Sequence, residues 1–187
     1  MKLSILTPTI PERADWLHAL QFKIQKQNNS GQVEHLMLSD NRTRSIGAKR
    51  QALLDIARGE YIAFVDDDDD ISDDYVSRIL AAIESKPDVI TFRQKVTYNG
   101  ATGIVEFGIN NHDHPFEPDT ITLRAPWHVC AWKREKVATC QFGESNYGED
   151  LVWCQQARRR IASGLHIPAI LHSYTHDATT TAAPAPR

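Results

Sequence analysis

Cysteines and long apolar runs are scarce in this sequence. The three cysteines, Cys130, Cys140 and Cys154, form no Cys-x-x-Cys pair, and an odd number excludes a complete disulfide framework. We therefore expect reduced, buried thiols and a cytoplasmic protein. No run of about 18 apolar residues is present, and prolines interrupt the short apolar stretch at the N-terminus. We expect neither a signal peptide nor insertion into a membrane.

The composition is typical of one globular domain. The 187 residues include 41% hydrophobic and 24% charged residues, which is enough to build a core without disulfides. The net charge of −3 conceals an asymmetry, because the segment DDDDDISDD at 66–74 holds seven of the 24 acids and no base. The remaining residues are mildly basic. A pI near 6.2 gives no overall signal for nucleic-acid binding.

The first half of the sequence alternates strand and helix patterns. Strands are predicted at the short apolar runs 3–6, 33–38, 61–65 and 89–92. Helices are predicted to begin at caps Thr9, Ser45 and Ser72, with Gly59 as the stop after the second. This order predicts an α/β fold: a mostly parallel, Rossmann-like sheet with helices on both faces and ligands at the carboxyl ends of the strands.

The second half, from residue 95, contains more turn signals. Tyr98-Asn99-Gly100 predicts a hairpin, and prolines punctuate the region that follows. Helices are predicted at 134–137 and from 149 to about 162, with a last short strand at 167–171.

Five consecutive aspartates follow the apolar run 61–65. Carboxylates so close together raise one another's pKa values unless a cation offsets the repulsion. The segment 72–74 fits a helix start, but a structural role explains 66–70 poorly, because Asp66 directly follows a buried strand. We therefore predict a Mg²⁺ or Mn²⁺ site with ligands at Asp66 and Asp68, whose side chains share a face if the segment is extended.

Two other sites built on D-x-D compete with this interpretation. A calcium-binding EF-hand loop needs glycine where this sequence has Ile71 and glutamate where it has Ser77, so we reject it. A phosphatase of the haloacid dehalogenase type usually carries D-x-D after its first strand. Here the motif follows the third predicted strand, so we rank this alternative low.

An ordered set of short motifs resembles the family 2 glycosyltransferases, which share the GT-A fold. In chain order the motifs are SILTPT at 4–9, LSDN at 38–41, GAKR at 47–50, ARGEYI at 57–62, FVDDDD at 64–69 and GEDLVW at 148–153. The resemblance covers roughly residues 2–175. A lone D-x-D is a weak signal, whereas the whole set in this order is fairly specific.

The resemblance implies a nucleotide-sugar donor, a UDP-sugar, bound over the strand ends. The residues implied on the donor side are Thr7, Pro8, Thr9, Glu12, Asp40, Lys49, Arg50, Asp66 and Asp67. A Mn²⁺ or Mg²⁺ cofactor would neutralise the leaving diphosphate as a Lewis acid. Its implied ligands are Asp68 and Asp66, with a late histidine as a further one. Either His172 or His176 could serve, and His172 is preferred because it directly follows a predicted strand.

The resemblance also implies an inverting reaction with an acid from the G-E-D motif as the base. Asp150, or Glu149 beside it, would take the proton from the acceptor hydroxyl. Trp127 and His128 are weaker candidates for contact with the acceptor, since aromatic faces suit sugars and bases. The acceptor stays open between a glycan and a modified DNA base.

We expect one GT-A domain over residues 1–177, with a nucleotide-sugar-binding half at 1–94, an acceptor-binding half at 95–177 and a disordered tail at 178–187. Two alternatives remain. A nucleotidyltransferase of related fold would normally carry a glycine-rich phosphate loop, and residues 7–11 contain no glycine. A non-catalytic nucleotide-sugar-binding module is disfavoured by the intact D-x-D and G-E-D motifs.

Overall fold

The computed structural model describes residues 1–177, so the tail predicted at 178–187 lies outside the described residues. The elements in chain order are β1 Leu3–Thr9, a 3₁₀ turn Pro11–Arg13, α1 Ala14–Gln27, β2 Val33–Ser39, α2 Ile46–Ile56, β3 Tyr61–Phe64, β4 Asp70–Ile71, α3 Tyr75–Ile83, β5 Val89–Tyr98, β6 Ala101–Phe107, β7 Ile121–Arg124, β8 Ala131–Lys133, α4 Arg134–Val137, α5 Glu149–Arg158 and β9 Gly164–His176. Across residues 1–177, every helix is too short or too polar to cross a bilayer.

The strands form one sheet with the neighbour order β2-β1-β3-β8-β5-β6-β7. β1 is parallel to both β2 and β3, with Leu6 beside Leu36 and Phe64. β8 runs antiparallel between β3 and β5, and β9 runs parallel to β5 while also pairing with β4. α1 packs against α3, whereas α2 packs against β1, β2 and α5. The predicted α/β class is thus confirmed: a mixed, centrally parallel sheet with helices on both faces.

The central strands of the sheet are buried on both faces. All residues of β1 and β3 are buried, and for β3 this is what its continuous apolar run predicts for a central strand covered by helices. Gly59 precedes β3 and is needed for close approach, because a Cβ there would lie 2.5 Å from the backbone nitrogen of Ser4. The prediction of Gly59 as a helix stop is wrong, since α2 ends earlier with Ala57 as its C-cap.

Two of the three predicted helix caps are wrong, for a common reason. Thr9 ends β1 and its hydroxyl donates to Asp67 Oδ2 at 2.6 Å, while the hydroxyl of Ser72 donates to Asp74 Oδ1 at 2.7 Å. A nearby carboxylate is a stronger partner for these hydroxyls than a helix N–H group. Ser45 caps α2 as predicted, accepting from the Ala48 N–H.

The second half departs more from the expectations. β5 and β9 both extend beyond the predicted segments because each pairs with the other along almost its whole length. The predicted hairpin is confirmed, with Asn99 and Gly100 at φ values of 48° and 84° between β5 and β6. α5 ends at Arg158, about one turn before the predicted boundary.

Candidate functional site

The candidate residues gather at the carboxyl ends of the parallel strands. Thr9 ends β1, Asp40 follows β2, and the aspartate run at 66–70 follows β3. The start of α5 reaches the same edge, because Glu149 contacts the guanidinium that also binds Asp66. This is the edge at which open α/β sheets bind ligands.

Arg50 joins two acids that were expected on opposite sides of the site. Its Nη2 donates to both oxygens of Asp66 at 2.8 and 2.9 Å, and its Nη1 donates to Glu149 Oε1 at 2.7 Å. Burial alone disfavours the guanidinium charge, but the two carboxylates raise the pKa of Arg50 above its ordinary value. Arg50 in turn holds the pKa of Asp66 below its ordinary value against the effect of burial. Arg50 is only 3% exposed, so it lies in the site as a bridge between acids.

Asp67 points inward. Its side chain is 2% exposed and accepts from Thr9 Oγ1 at 2.6 Å and from Arg13 Nη1 at 2.8 Å. Arg13 also lies 3.0 Å from Asp68 Oδ2, so one guanidinium serves two successive carboxylates. The sequence analysis missed Arg13. The only signal for this residue was its position, four residues after the T-P-T segment that ends β1.

Asp68 and Asp69 have fewer cationic partners than Asp66 and Asp67. Burial, followed by the charges of Asp66 and Asp69, raises the pKa of Asp68 to about 7, although Arg13 acts in the opposite sense. Burial also raises the pKa of Asp69. Asp70 leaves the cluster, because it belongs to β4 and its carboxylate accepts from Lys23 Nζ at 2.6 Å.

β9 brings a late histidine to the aspartate run. His172 pairs with Ile71 of β4, is 1% exposed, and places its Nε2 3.3 Å from Asp69 Oδ2. The Nδ1 of His172 lies 3.0 Å from Gln94 Nε2 on β5. The other ring nitrogen of His172, Nε2, forms no hydrogen bond with residues 1–177. Gln94 and Asp69 were both missed by the sequence analysis, because the pairing of β9 with β4 and β5 decides their neighbours.

The second late histidine lies elsewhere. His176 is four residues further along β9, which is about 13 Å in an extended strand, and its ring stacks on Tyr98 at 4.6 Å between centroids. Tyr174 is closer to the site: burial, then the charges of Asp69 and Asp68, raises its pKa to about 12. Tyr174 was missed, although alternation along a strand would place it on the face of His172.

The acids and histidines have the donor chemistry of a metal site. Within residues 1–177, no three or more His, Cys, Asp and Glu side chains are arranged to hold a metal ion. His172 and Asp69 nevertheless lie 3.3 Å apart, and Asp66 and Asp68 belong to the same aspartate run. Carboxylate oxygens with one imidazole suit Mn²⁺ and Mg²⁺, and within residues 1–177 the buried Nε2 of His172 forms no hydrogen bond, although Asp69 lies 3.3 Å away.

Lys49 and Asp40 form a second buried pair. Lys49 is 3% exposed, and its Nζ lies 2.6 Å from Asp40 Oδ1 and donates to the Thr9 carbonyl at 2.7 Å. Burial acts to raise the pKa of Asp40, but Lys49, the Thr43 hydroxyl and the Arg44 N–H hold it at about 2. The pair ties the end of β2 to the end of β1.

The remaining donor-side candidates divide by exposure. Thr7 is fully buried, and its hydroxyl donates to the Val65 carbonyl at 2.7 Å. Pro8 is buried within β1. Glu12 is exposed in the 3₁₀ turn, 3.8 Å from Arg42 Nε. Of these three residues, the structure leaves the side chain of Glu12 open to solvent.

The acceptor-side candidates lie around the start of α5. Glu149 is 5% exposed and paired with Arg50, and burial raises its pKa. Asp150 keeps 25% of its side chain exposed and lies with Oδ2 3.6 Å from His128 Nδ1. Burial, then Arg50, lowers the pKa of the His128 ring to about 3. The Arg158 guanidinium packs over the Trp127 ring, with its Cζ 5.2 Å from the ring centroid.

Comparison with solved structures establishes the fold. The crystal structure of S. aureus TarS 1–349 matches with a TM-score of 0.72 and 18% identity over 94% of this chain and 60% of that one. The same fragment in complex with UDP gives 0.72 and 17% over 94% and 61%. Its complex with UDP-GlcNAc gives 0.73 and 15% over 98% and 62%. The chain therefore spans about 60% of the length of these structures.

Sequence comparison establishes the family. No curated protein matches the sequence significantly. The family model described as Glycosyl transferase family 2 matches residues 17–137, which include the aspartate run and the strands on either side of it. Since this match covers more than half of the residues, the chain belongs to glycosyl transferase family 2.

Proposed function

We propose that the chain transfers a sugar from a UDP-sugar to an acceptor hydroxyl, on a glycan or on a modified DNA base. The observation that carries the proposal is the gathering of Asp40, the aspartate run, His172 and Asp150 at the carboxyl ends of β1, β2 and β3 in a family 2 chain. Two structural neighbours are complexes of TarS with UDP and with UDP-GlcNAc, which supports the choice of nucleotide. Residues 1–94 would supply most of the donor side and 95–177 the acceptor side.

The donor would lie between Glu12, the paired Asp40 and the aspartate run. Asp66, Asp68 and His172 would hold a Mn²⁺ or Mg²⁺ ion, with Asp69 adjacent. That ion would supply Lewis-acid neutralisation of the departing diphosphate. His172 is preferred over His176, because only His172 faces the run. Lys49 and Arg50 would act through the acids that they hold in place.

Asp150 would be the base of an inverting transfer. Glu149 is buried and already bound to Arg50, whereas the side chain of Asp150 is partly exposed and its Oδ2 accepts no hydrogen bond from residues 1–177. Asp150 takes the acceptor proton while the acceptor oxygen bonds to the anomeric carbon, and the bond from that carbon to the diphosphate oxygen breaks with UDP keeping the electron pair.

The three buried, free cysteines support the expected reducing compartment, the cytoplasm.

Thermal unfolding with UDP tests donor and metal together. We expect UDP to raise the Tm in the presence of MnCl₂ and to raise it far less in EDTA, because binding to the folded state stabilises it. Asp68→Asn should remove the Mn²⁺-dependent part of the shift. Asp73→Asn, which removes the same charge from an exposed position, is the matched control and should keep it.

Each part of the proposal can fail separately. An equal UDP shift in EDTA and in MnCl₂ would contradict the metal site, and no shift with any nucleoside diphosphate would contradict the function. Asp150→Asn should bind UDP normally and lose transfer. A variant that transfers at the wild-type rate would remove Asp150 as the base. Binding of UDP-sugars without any release of UDP would favour a non-catalytic module.

A further inference from the structure

His128 is buried beside the site with an unsatisfied ring nitrogen. The residue is 7% exposed, and its Nδ1 forms no hydrogen bond within residues 1–177. The ring is fixed by packing: it lies edge-on to Phe64 at 6.3 Å and is tilted against Trp127 at the same separation. A buried polar atom without a partner costs about 1–3 kcal/mol. Such a cost points to a partner that arrives in another state of the site.

A carboxylate oxygen of Asp150 lies close to that nitrogen. Asp150 Oδ2 lies 3.6 Å from His128 Nδ1, and the other oxygen, Oδ1, accepts from the Leu151 N–H at 2.7 Å. A separation of 3.6 Å is too long for a hydrogen bond, but contacts of this kind in unliganded enzymes often shorten when substrate binds. A shift of about 0.7 Å would bring the two atoms into the usual range.

We propose that His128 is a positioning residue for Asp150: its Nδ1–H donates to Asp150 Oδ2 and fixes the orientation of the carboxylate that receives the acceptor proton. With Oδ1 held by the start of α5 and Oδ2 by His128, rotation about the Cβ–Cγ bond is removed. A free carboxylate lone pair then points to one place, the position of the acceptor hydroxyl. This inference rests on the proposed function, since it takes Asp150 as the base.

The proposal requires one tautomer of the His128 ring. A neutral imidazole carries its proton on one nitrogen only, and Nδ1 must carry it to donate to a carboxylate. In protein with ¹⁵N-labelled histidine, a two-bond ¹H–¹⁵N spectrum separates protonated from bare ring nitrogens, and His128→Gln identifies the signals by their loss. We expect a protonated Nδ1 and a bare Nε2. The opposite tautomer would overturn the proposal, whether or not the protein shows activity.

Two amide substitutions test the same bond kinetically. Asparagine places an N–H near the position of Nδ1, whereas glutamine places one near Nε2. With UDP-GlcNAc, MnCl₂ and water as the acceptor, we expect His128→Gln to lower the kcat of UDP release about 10–100-fold. His128→Asn should turn over at least about fivefold faster than His128→Gln, and the Kd for UDP should stay within about twofold in both.

The outcomes distinguish failure of the positioning role of His128 from failure of the proposed function. Equal kcat values for the two variants at matched Tm values would overturn the positioning role while leaving the transferase intact. Loss of UDP affinity in both variants would also overturn it, since His128 would then serve donor binding. If the wild type releases no UDP and binds none, the proposed function fails, and the tautomer measured by NMR still decides whether Nδ1 faces Asp150 as a donor.

Discussion

The first two aspartates of the run differ from the next two in what neutralises them. Asp66 and Asp67 each contact a guanidinium at 2.9 Å or less, from Arg50 and Arg13 respectively. Asp68 shares Arg13 at 3.0 Å, and the one ion-pair contact of Asp69 within residues 1–177 is the imidazole of His172 at 3.3 Å. One acidic segment thus contains a paired part and a part short of positive charge.

This difference separates the acids that a guanidinium already neutralises from those that would gain most counter-charge from a bound cation. A paired, buried carboxylate stabilises the structure around it and loses little by the absence of a ligand. An acid held near others without enough counter-charge gains most when a cation binds, and such perturbed groups cluster at functional sites. We expect substitutions in the two parts to change stability in opposite directions.

The largest effect should come from removing the bridge in the paired part. Arg50→Met would leave Asp66 and Glu149 as uncompensated acids in a largely buried setting. We expect the free energy of unfolding to fall by about 3–5 kcal/mol, measured by urea denaturation. Arg78→Met is the control, because Arg78 pairs with Asp74 at an exposed helix position and should cost less than about 0.5 kcal/mol. Similar losses of unfolding free energy in the two variants would contradict the idea that the paired acids depend on Arg50 for stability.

The pair Asp40–Lys49 extends the comparison to pH. The pKa of Asp40 is about 2 in the folded protein and near 3.8 when unfolded, so the unfolded chain binds more protons between these values. The stabilisation by Asp40, about 1–2 kcal/mol, is therefore complete above about pH 4 and is lost as the pH falls towards 2.

Urea denaturation of wild type and Asp40→Asn should show this loss directly. The difference in unfolding free energy between them should shrink from pH 5 to pH 2, because a protonated Asp40 leaves Lys49 as unpaired as asparagine does. The difference between wild type and the exposed variant Asp73→Asn should change less. A gap for Asp40→Asn that stays constant down to pH 2 would show that Lys49 does not depend on the carboxylate charge.

The parts of the fold predicted from the sequence are those decided by local pattern. The short apolar run of β1, the continuous apolar run of β3 and the turn at Asn99-Gly100 needed no knowledge of distant residues. The motifs also indicated that Asp40, Asp66 and Asp150 belong to one site, since parallel strands end together. The structure places these acids at one edge of the sheet.

The rest depended on long-range pairing. β9 was predicted as a short segment, but it extends to His176 because it pairs with β5 and, at His172, with β4. That pairing decides that Asp69 meets an imidazole, which no local pattern encodes. Arg13 reaches the run from a turn whose direction is likewise set by packing. The sequence therefore indicated most of the acids that gather at this edge of the sheet, but not which of them are neutralised.

The smallest effect should distinguish two adjacent aspartates. In EDTA, Asp68→Asn should leave the free energy of unfolding unchanged or raise it by up to about 1 kcal/mol, because it relieves repulsion from Asp66 and Asp69 while Arg13 keeps its bond to Asp67. Asp67→Asn is the control and should lose at least about 1 kcal/mol, since asparagine removes the charge that Arg13 faces and keeps only one of the two oxygens that accept from Arg13 and Thr9.

With MnCl₂ in place of EDTA, wild type should have a higher free energy of unfolding than Asp68→Asn. Wild type would gain stability by mass action as the cation binds the folded state, whereas the variant would gain little. A destabilised Asp68→Asn in EDTA would mean that Asp68 is a structural acid like Asp67, and the division of the run would fail at that position. If the variant instead gains stability in EDTA and loses the response to Mn²⁺, its carboxylate is held against repulsion for a ligand, because a fold-stabilising charge cannot produce both results.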